Sequence, residues 1–242
     1  MHRRARHLNP RDAGATSALD ARFLSGLNDG DGITTWTSRT GSNSPTQATA
    51  NNKPLYKVNI QGGCPAALCD ASASTSGRFM TFSTSPISGA TAASCIYSYE
   101  RTSDAGSGGP VVNFGNYFNS DHEPFGASTT AYIGFASTTR HSWTTTALNV
   151  DAIRSIISKS GSYRVLTNGT QVFTTATNTV GVGGSARIGG ANLVRPDGTA
   201  EAVAYYWVGY LHALAFFPLE LTDSLRKRLE QSVGFSFKIA CS

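Results

Sequence analysis

Ser107 is the residue of this chain that most invites a catalytic reading. It stands in a tight run of small residues, Asp104-Ala-Gly-Ser-Gly-Gly-Pro-Val-Val112. A serine becomes a nucleophile when a histidine takes its proton and a third group orients that histidine. The body of the chain offers His122, His141 and His212, and none sits in a supporting motif. A Gly/Ser turn between two strands accounts for the same residues without chemistry. Glycoside hydrolysis needs two carboxylates flanking the scissile bond. Asp121-His-Glu123 is the nearest cluster, and Pro124 directly after it gives the surroundings the character of a loop. Asp29 and Asp31, in Asn28-Asp-Gly-Asp-Gly32, could supply oxygens to calcium. That ion takes about six to eight oxygen ligands, so two carboxylates are only a start. Apart from calcium, no cofactor is expected.

Other motifs weaken on inspection. Residues 104–112 resemble the nucleophile segment of the trypsin family, GDSGGP, and Thr91-Ala-Ala-Ser-Cys95 resembles its histidine segment, TAAHC. Gly106 stands where that family has Asp, and Ser94 where it has the essential His. Gly181-Val-Gly-Gly-Ser185 is loosely like a phosphate-cradling loop, but more strand follows it instead of a helix N-terminus. Asn168-Gly-Thr170 matches a glycosylation sequon inside a predicted tight turn. Cys64 and Cys69 flank Pro-Ala-Ala-Leu and could close a small disulfide ring or stay free. No zinc-type ligand spacing accompanies them. Cys95, in an apolar run, reads as a buried thiol. Trp36 and Trp207 sit in strand-like runs and are expected in the core. Trp143, in the polar Arg140-His-Ser-Trp-Thr144, is the best platform for a sugar ring, with Arg140 and His141 as polar neighbours.

Around these residues the chain must supply a scaffold. Its 242 residues suffice for one large β domain with a well-buried core. Charged residues make up only 14%, and Ser, Thr and Gly abound, which suits many short strands and turns. The net charge of +5 comes mostly from Arg3, Arg4, Arg6 and Arg11; without them 16 basic residues face 15 acidic ones. A nearly neutral body disfavours a nucleic-acid-binding face. No apolar run reaches the ~20 residues of a membrane span, and no hydrophobic segment follows the basic N-terminus as an export signal would. Residues 1–15 read as a basic arm and 16–242 as one domain.

Strands are expected at 19–24, 33–36, 79–83, 94–100, 111–114 and 131–135, with a polar loop over 41–53. Residues 151–158 are ambiguous, since Ile153, Ile156 and Ile157 fit a helical face. Their β-branching and the hairpin that follows favour a strand. Asn168-Gly169 is the strongest turn signal in the chain and predicts a hairpin over 163–173. One helix is predicted from a Thr222 cap, with Leu225, Leu229 and Val233 as its stripe. Gly234 is the expected stop, Arg226, Lys227 and Arg228 the outer face, and one end of the sandwich the docking place.

In this order the elements resemble concanavalin A-like lectin/glucanase domains of the laminin-G-like type. Leu19-Asp-Ala21, Asp29-Gly-Asp31 and Trp36 carry the early part of the resemblance. Asn168-Gly169, Ile188-Gly189, Val208 to Phe216 and the leucine-bearing helix up to Glu230 carry the late part. It spans about residues 18–237. The loop around Cys64–Asp70 departs from the pattern, and the family's calcium ligands cannot be transferred residue by residue. The resemblance implies an all-β, concanavalin A-like jelly-roll sandwich of two antiparallel sheets with one short C-terminal helix.

The resulting expectation is a non-enzymatic structural or binding module. A phage virion surface component, made in the host cytoplasm, fits the arm and the lectin-like fold; capsid decoration, head fibre and tail are its variants. Its partners would be other virion proteins or cell-surface glycans, with homo-oligomerisation left open. The alternative is an extracellular carbohydrate-binding module of a bacterial surface or secreted protein. A polysaccharide hydrolase or lyase stands third.

Overall fold

The computed structural model describes residues 8–70, 77–103, 110–114, 120–122, 130–144, 147–182, 186–191, 205–239 and 241. Its strands are β1 (Ser17–Asp20), β2 (Leu55–Gln61), β3 (Cys64–Cys69), β4 (Met80–Phe82), β5 (Ala92–Arg101), β6 (Pro110–Asn113), β7 (Ser120–His122) and β8 (Thr130–Ile133). They continue through β9 (His141–Thr144), β10 (Asp151–Lys159), β11 (Ser162–Thr167), β12 (Thr170–Thr175), β13 (Ala186–Ile188), β14 (Gly190–Ala191), β15 (Tyr205–Tyr206) and β16 (Gly209–Phe217). Helix α1 (Asp223–Phe237) closes the order.

The large sheet runs β12-β11-β10-β5-β16-β3-β2, with β1 also paired to β16. The smaller one runs β4-β13-β6-β7-β8-β9, and β14 pairs with β15. Pairing is antiparallel throughout the described strands. The fold is therefore the expected all-β sandwich with a single C-terminal helix. Between the sheets lies an aromatic core. Phe114 meets Phe135 at 5.2 Å and Phe216 at 5.5 Å, both edge-on. Trp36 and Trp207 are buried in the same core, as expected.

Strands β5, β10 and β16 are buried on both faces. On β10, Ala152 and Ile156 join the inter-sheet core, whereas Ile153 joins a second cluster with Ile96, Ala215, Phe217, Leu229 and Phe237. Helix α1 thus covers the outer face of the large sheet as a third layer, over β10 and β5, and does not cap an end of the sandwich. Ala13 and Ala15, expected in the arm, are buried in this layer.

Thr222 caps α1 as predicted, its Oγ1 accepting from the Leu225 amide at 3.3 Å. The stop differs from expectation. The helix passes Gly234 and ends at Lys238, which takes the left-handed conformation (φ 56°). Gly234 is needed for a close approach instead, because a Cβ there would lie 2.6 Å from the Ile239 carbonyl oxygen. Arg226 also departs from its predicted outer position, being buried against Glu230. A burial penalty pushes the Asp223 carboxyl up, but Arg164 and Arg226 outweigh it and hold it below the usual range.

The expected strand at 19–24 breaks early. Asp20 turns its carboxylate back onto the Arg22 amide and nucleates a short 3-10 turn, Ala21–Phe23. Residues 33–36 make a single isolated bridge, Thr35 with Thr46. Of the two possibilities for Cys64 and Cys69, a disulfide ring or free thiols, the ring does not fit the structure. The two residues are the ends of β3, and both thiols are free. A strand rises about 3.3 Å per residue, which sets them roughly 16 Å apart; a disulfide needs about 4.4–6.8 Å between Cα atoms. Cys95 is a buried thiol outside any disulfide, as expected. Burial pushes the Cys69 thiol up to about 12 and Cys241 up to about 11. Four thiols should therefore titrate in denaturant without reductant, and Cys69 should resist alkylation at pH 8 in the native protein. Mass spectrometry after alkylation reads both outcomes, and fewer than four modified cysteines in denaturant would contradict the structure.

Candidate functional site

His141 and Trp143 lie on β9, the edge strand of the smaller sheet, and contact side chains of β10, β11 and β12. The His141 ring is 4.6 Å from Tyr163 and 5.2 Å from Phe173. Burial lowers the His141 pKa, partly offset by a hydrogen bond with Asn178. The Trp143 ring has Phe173 at 6.4 Å and the Arg154 guanidinium over it at 5.0 Å. Arg154 is fully buried, and its Nη2 donates to the Tyr99 hydroxyl at 2.6 Å. A sugar platform needs a free aromatic face, whereas the protein already uses Trp143 to cover a buried cation. Arg140, just before β9, is half-buried. The sequence-predicted trio therefore converges, but on a cluster that ties the open edges of the two sheets together. Sequence reading missed Arg154; a lone charge inside the isoleucine-rich β10 was its signal.

The other candidates are engaged locally. Lys57 and the Val58 amide hold Asp29, at 2.9 and 3.0 Å, and lower its pKa. Asp31 accepts from the Asn28 amide at 2.7 Å. Among the described residues no group of three or more His, Cys, Asp or Glu could hold a metal. His212 is fully buried, with Nε2 3.0 Å from an Asp151 carboxylate oxygen and its ring tilted against Phe237 at 5.2 Å. The Ser94 hydroxyl donates to the Leu219 carbonyl and accepts from the Leu221 amide. Ser107 and Glu123 lie outside the described residues. Asp121 and His122 fall on β7 and not in the loop expected there.

A different surface is equipped for recognition. Met80, Phe82, Ala186 and Ile188 turn into the core, so alternation turns Thr81 and Arg187 outward on the smaller sheet. Register sets Arg187 between Thr81 on β4 and Asn113 on β6. Phe79, two residues before Thr81, lies on the same side, with the Arg187 guanidinium 4.6 Å from its ring centre. Gln47 braces this edge by donating to the Phe79 carbonyl at 3.2 Å. Nearby, Arg78 pairs with Asp70 at 2.9 Å and donates to the Lys53 carbonyl at 2.8 Å. Burial lowers the Arg187 pKa, and no carboxylate offsets it. The face therefore offers an aromatic ring, a guanidinium with no hydrogen bond among the described residues and a hydroxyl on one sheet. Sequence reading missed Arg187, although a charge between two inward apolar residues of a strand marks an outward position.

On the opposite side, a cavity of about 50 Å³ separates the N-terminal segment from α1, lined by Leu8, Ala18, Ala215 and Val233 with Asp20 and Arg22 at its rim. Those two rim residues pair with each other.

No known family matches the chain, and no curated protein is similar to it. Solved structures are. Domain 4 of AbnA, a GH43 extracellular arabinanase from Geobacillus stearothermophilus in complex with arabinotriose, is 13% identical with a TM-score of 0.61. That likeness covers 90% of this chain and 98% of that domain. The botulinum neurotoxin serotype D binding domain is 9% identical at 0.54, covering 90% of this chain and 51% of that one. Trypanosoma rangeli sialidase, in complex with 2,3-difluoro-KDN, is 12% identical at 0.50, covering 95% of this chain and 34% of that one. At these identities the likeness is one of fold: a β-sandwich consistent with a jelly roll. The chain spans about half of the neurotoxin domain and a third of the sialidase.

Proposed function

We propose that this protein is a non-catalytic carbohydrate-binding module whose contact surface is the outward face of the smaller sheet. One observation carries the reading. The chain matches domain 4 of an arabinanase, in complex with arabinotriose, over 98% of that domain and 90% of itself. The Phe79–Thr81–Arg187 face adds the chemistry a sugar needs, an apolar ring for C–H groups and donors for hydroxyls. Binding without catalysis is supported by the described histidine side chains, His141 and His212, whose hydrogen-bond partners are Asn178 and Asp151 and not a nucleophile. Titration calorimetry against a panel of neutral and acidic plant and bacterial oligosaccharides should give saturable binding to at least one. Phe79→Ala should weaken that binding about tenfold, the loss of roughly 1–2 kcal/mol expected for an aromatic contact. No binding across the panel, or turnover of any polysaccharide, would defeat the proposal.

The virion reading keeps one supporting observation: four cysteines outside any disulfide suit a chain made and kept in a reducing compartment. Its test is location, and a protein absent from purified particles would not be a virion component.

A further inference from the structure

We infer that the saccharide this face selects carries a carboxylate, and that Arg187 is the group that reads it. The inference rests on the carbohydrate-binding reading and narrows it to one chemical class.

The argument begins with how arginines are settled elsewhere in the fold. Arg22 meets Asp20, Arg78 meets Asp70, Arg164 meets Asp223 and Arg226 meets Glu230. These four arginines each have an acid, and the buried Arg154 has the Tyr99 hydroxyl and the Trp143 ring. Arg187 is different. It projects from the middle of β13, whose backbone is held by β4 on one side and β6 on the other. Its side chain is half-buried and rests on the Phe79 ring. Among the described residues it has no hydrogen bond and no ion pair, and its companions on the face, Phe79, Thr81 and Asn113, are uncharged. A guanidinium in this position has lost part of its water and gained no anion in exchange.

The shape of the missing anion follows from the donor. A guanidinium presents parallel N–H groups in one plane, which match the two oxygens of a carboxylate. An aromatic ring at its back fixes the plane, so less side-chain freedom is lost on binding. The face is only partly open, since Asn113 beside Arg187 is buried, and a bare carboxylate would gain little from one part-exposed cation. A sugar ring bearing the carboxylate can also lie along the sheet, within reach of the Phe79 edge and the Thr81 hydroxyl. Nucleic acid is disfavoured, because beyond the N-terminal arginines the chain is nearly neutral.

The test compares ligands that share a skeleton and differ in charge. Oligogalacturonate is titrated beside its methyl ester, and a glucuronate-bearing xylo-oligosaccharide beside its unsubstituted form, by calorimetry at low salt and at 0.5 M NaCl. The acidic member of at least one pair should bind about tenfold tighter or more, the range of a charge-assisted hydrogen bond. High salt should narrow that gap. Arg187→Gln should abolish the preference, so that the acidic and neutral members of a pair bind alike. Arg187→Lys, which keeps the charge and loses the fork, should keep only part of it. Equal affinity within both pairs, or a preference that survives Arg187→Gln at an unchanged thermal midpoint, overturns the inference. Neutral sugars that bind while acidic ones do not would also overturn it and leave the carbohydrate reading standing. No binding by any saccharide would remove that reading as well.

Discussion

Glu230→Ala should lower the free energy of unfolding by about 3–5 kcal/mol, the cost of breaking a buried ion pair from one side. Glu230 is almost fully buried beneath α1. One carboxylate oxygen accepts from the Ser155 hydroxyl at 2.5 Å, the other from Arg226. Arg226 also lies 3.5 Å from Asp223, which pairs with Arg164 of β11 at 2.9 Å. The chain of charges thus runs from the sheet through the helix and back to the sheet. Removing Glu230 leaves the buried Arg226 with only the longer contact to Asp223 and leaves the Ser155 hydroxyl without its acceptor, both beneath the helix. Urea unfolding at pH 7 measures the loss. The double variant Arg226→Met, Glu230→Leu should recover most of it, because no charge is then left alone. A loss below about 1 kcal/mol would mean that water already reaches the pair and that the third layer is loosely docked.

That layer also explains which parts of the fold could be read in the sequence. The hairpin over β11 and β12 was legible because Asn168 and Gly169 both take positive φ, 51° and 84°, as a tight two-residue turn requires. Strand β10 was legible from its isoleucines once a hairpin followed. The placement of α1 was not. A sheet covered on one face shows alternation that reveals the covering side, but β5, β10 and β16 are covered on both faces and lose that pattern. Arg226 looked exposed because it opens the basic run Arg226-Lys227-Arg228; Glu230, four residues on, was the sign of a partner. Pro65 made residues 64–69 look like a loop. It sits in a gap of the ladder, between the Lys57–Ala66 and Gln61–Cys64 pairs, where its missing N–H costs nothing.

The candidate site divides along the same physical line. Trp143 was chosen for a polar sequence context, and context along the chain says nothing about what lies across the sandwich. Trp143→Ala should therefore act on stability and not on recognition. The loss is expected to be about 3 kcal/mol, near the lower end for removing a large aromatic side chain, since the ring is half-buried. Part of that loss belongs to Arg154, whose guanidinium sits 5.0 Å above the ring and is fully buried. A double-mutant cycle with Arg154→Met should isolate a coupling of about 0.5–2 kcal/mol, the range for a desolvated cation over an aromatic face. Saccharide affinity should stay unchanged in Trp143→Ala at a temperature where the variant remains folded, while Phe79→Ala should show the reverse, weaker binding at nearly intact stability. If Trp143→Ala abolished binding and Phe79→Ala did not, recognition would belong to the open edge between β9 and β12. The buried Arg154 would then be the cation beneath a sugar, and not a brace between two sheets.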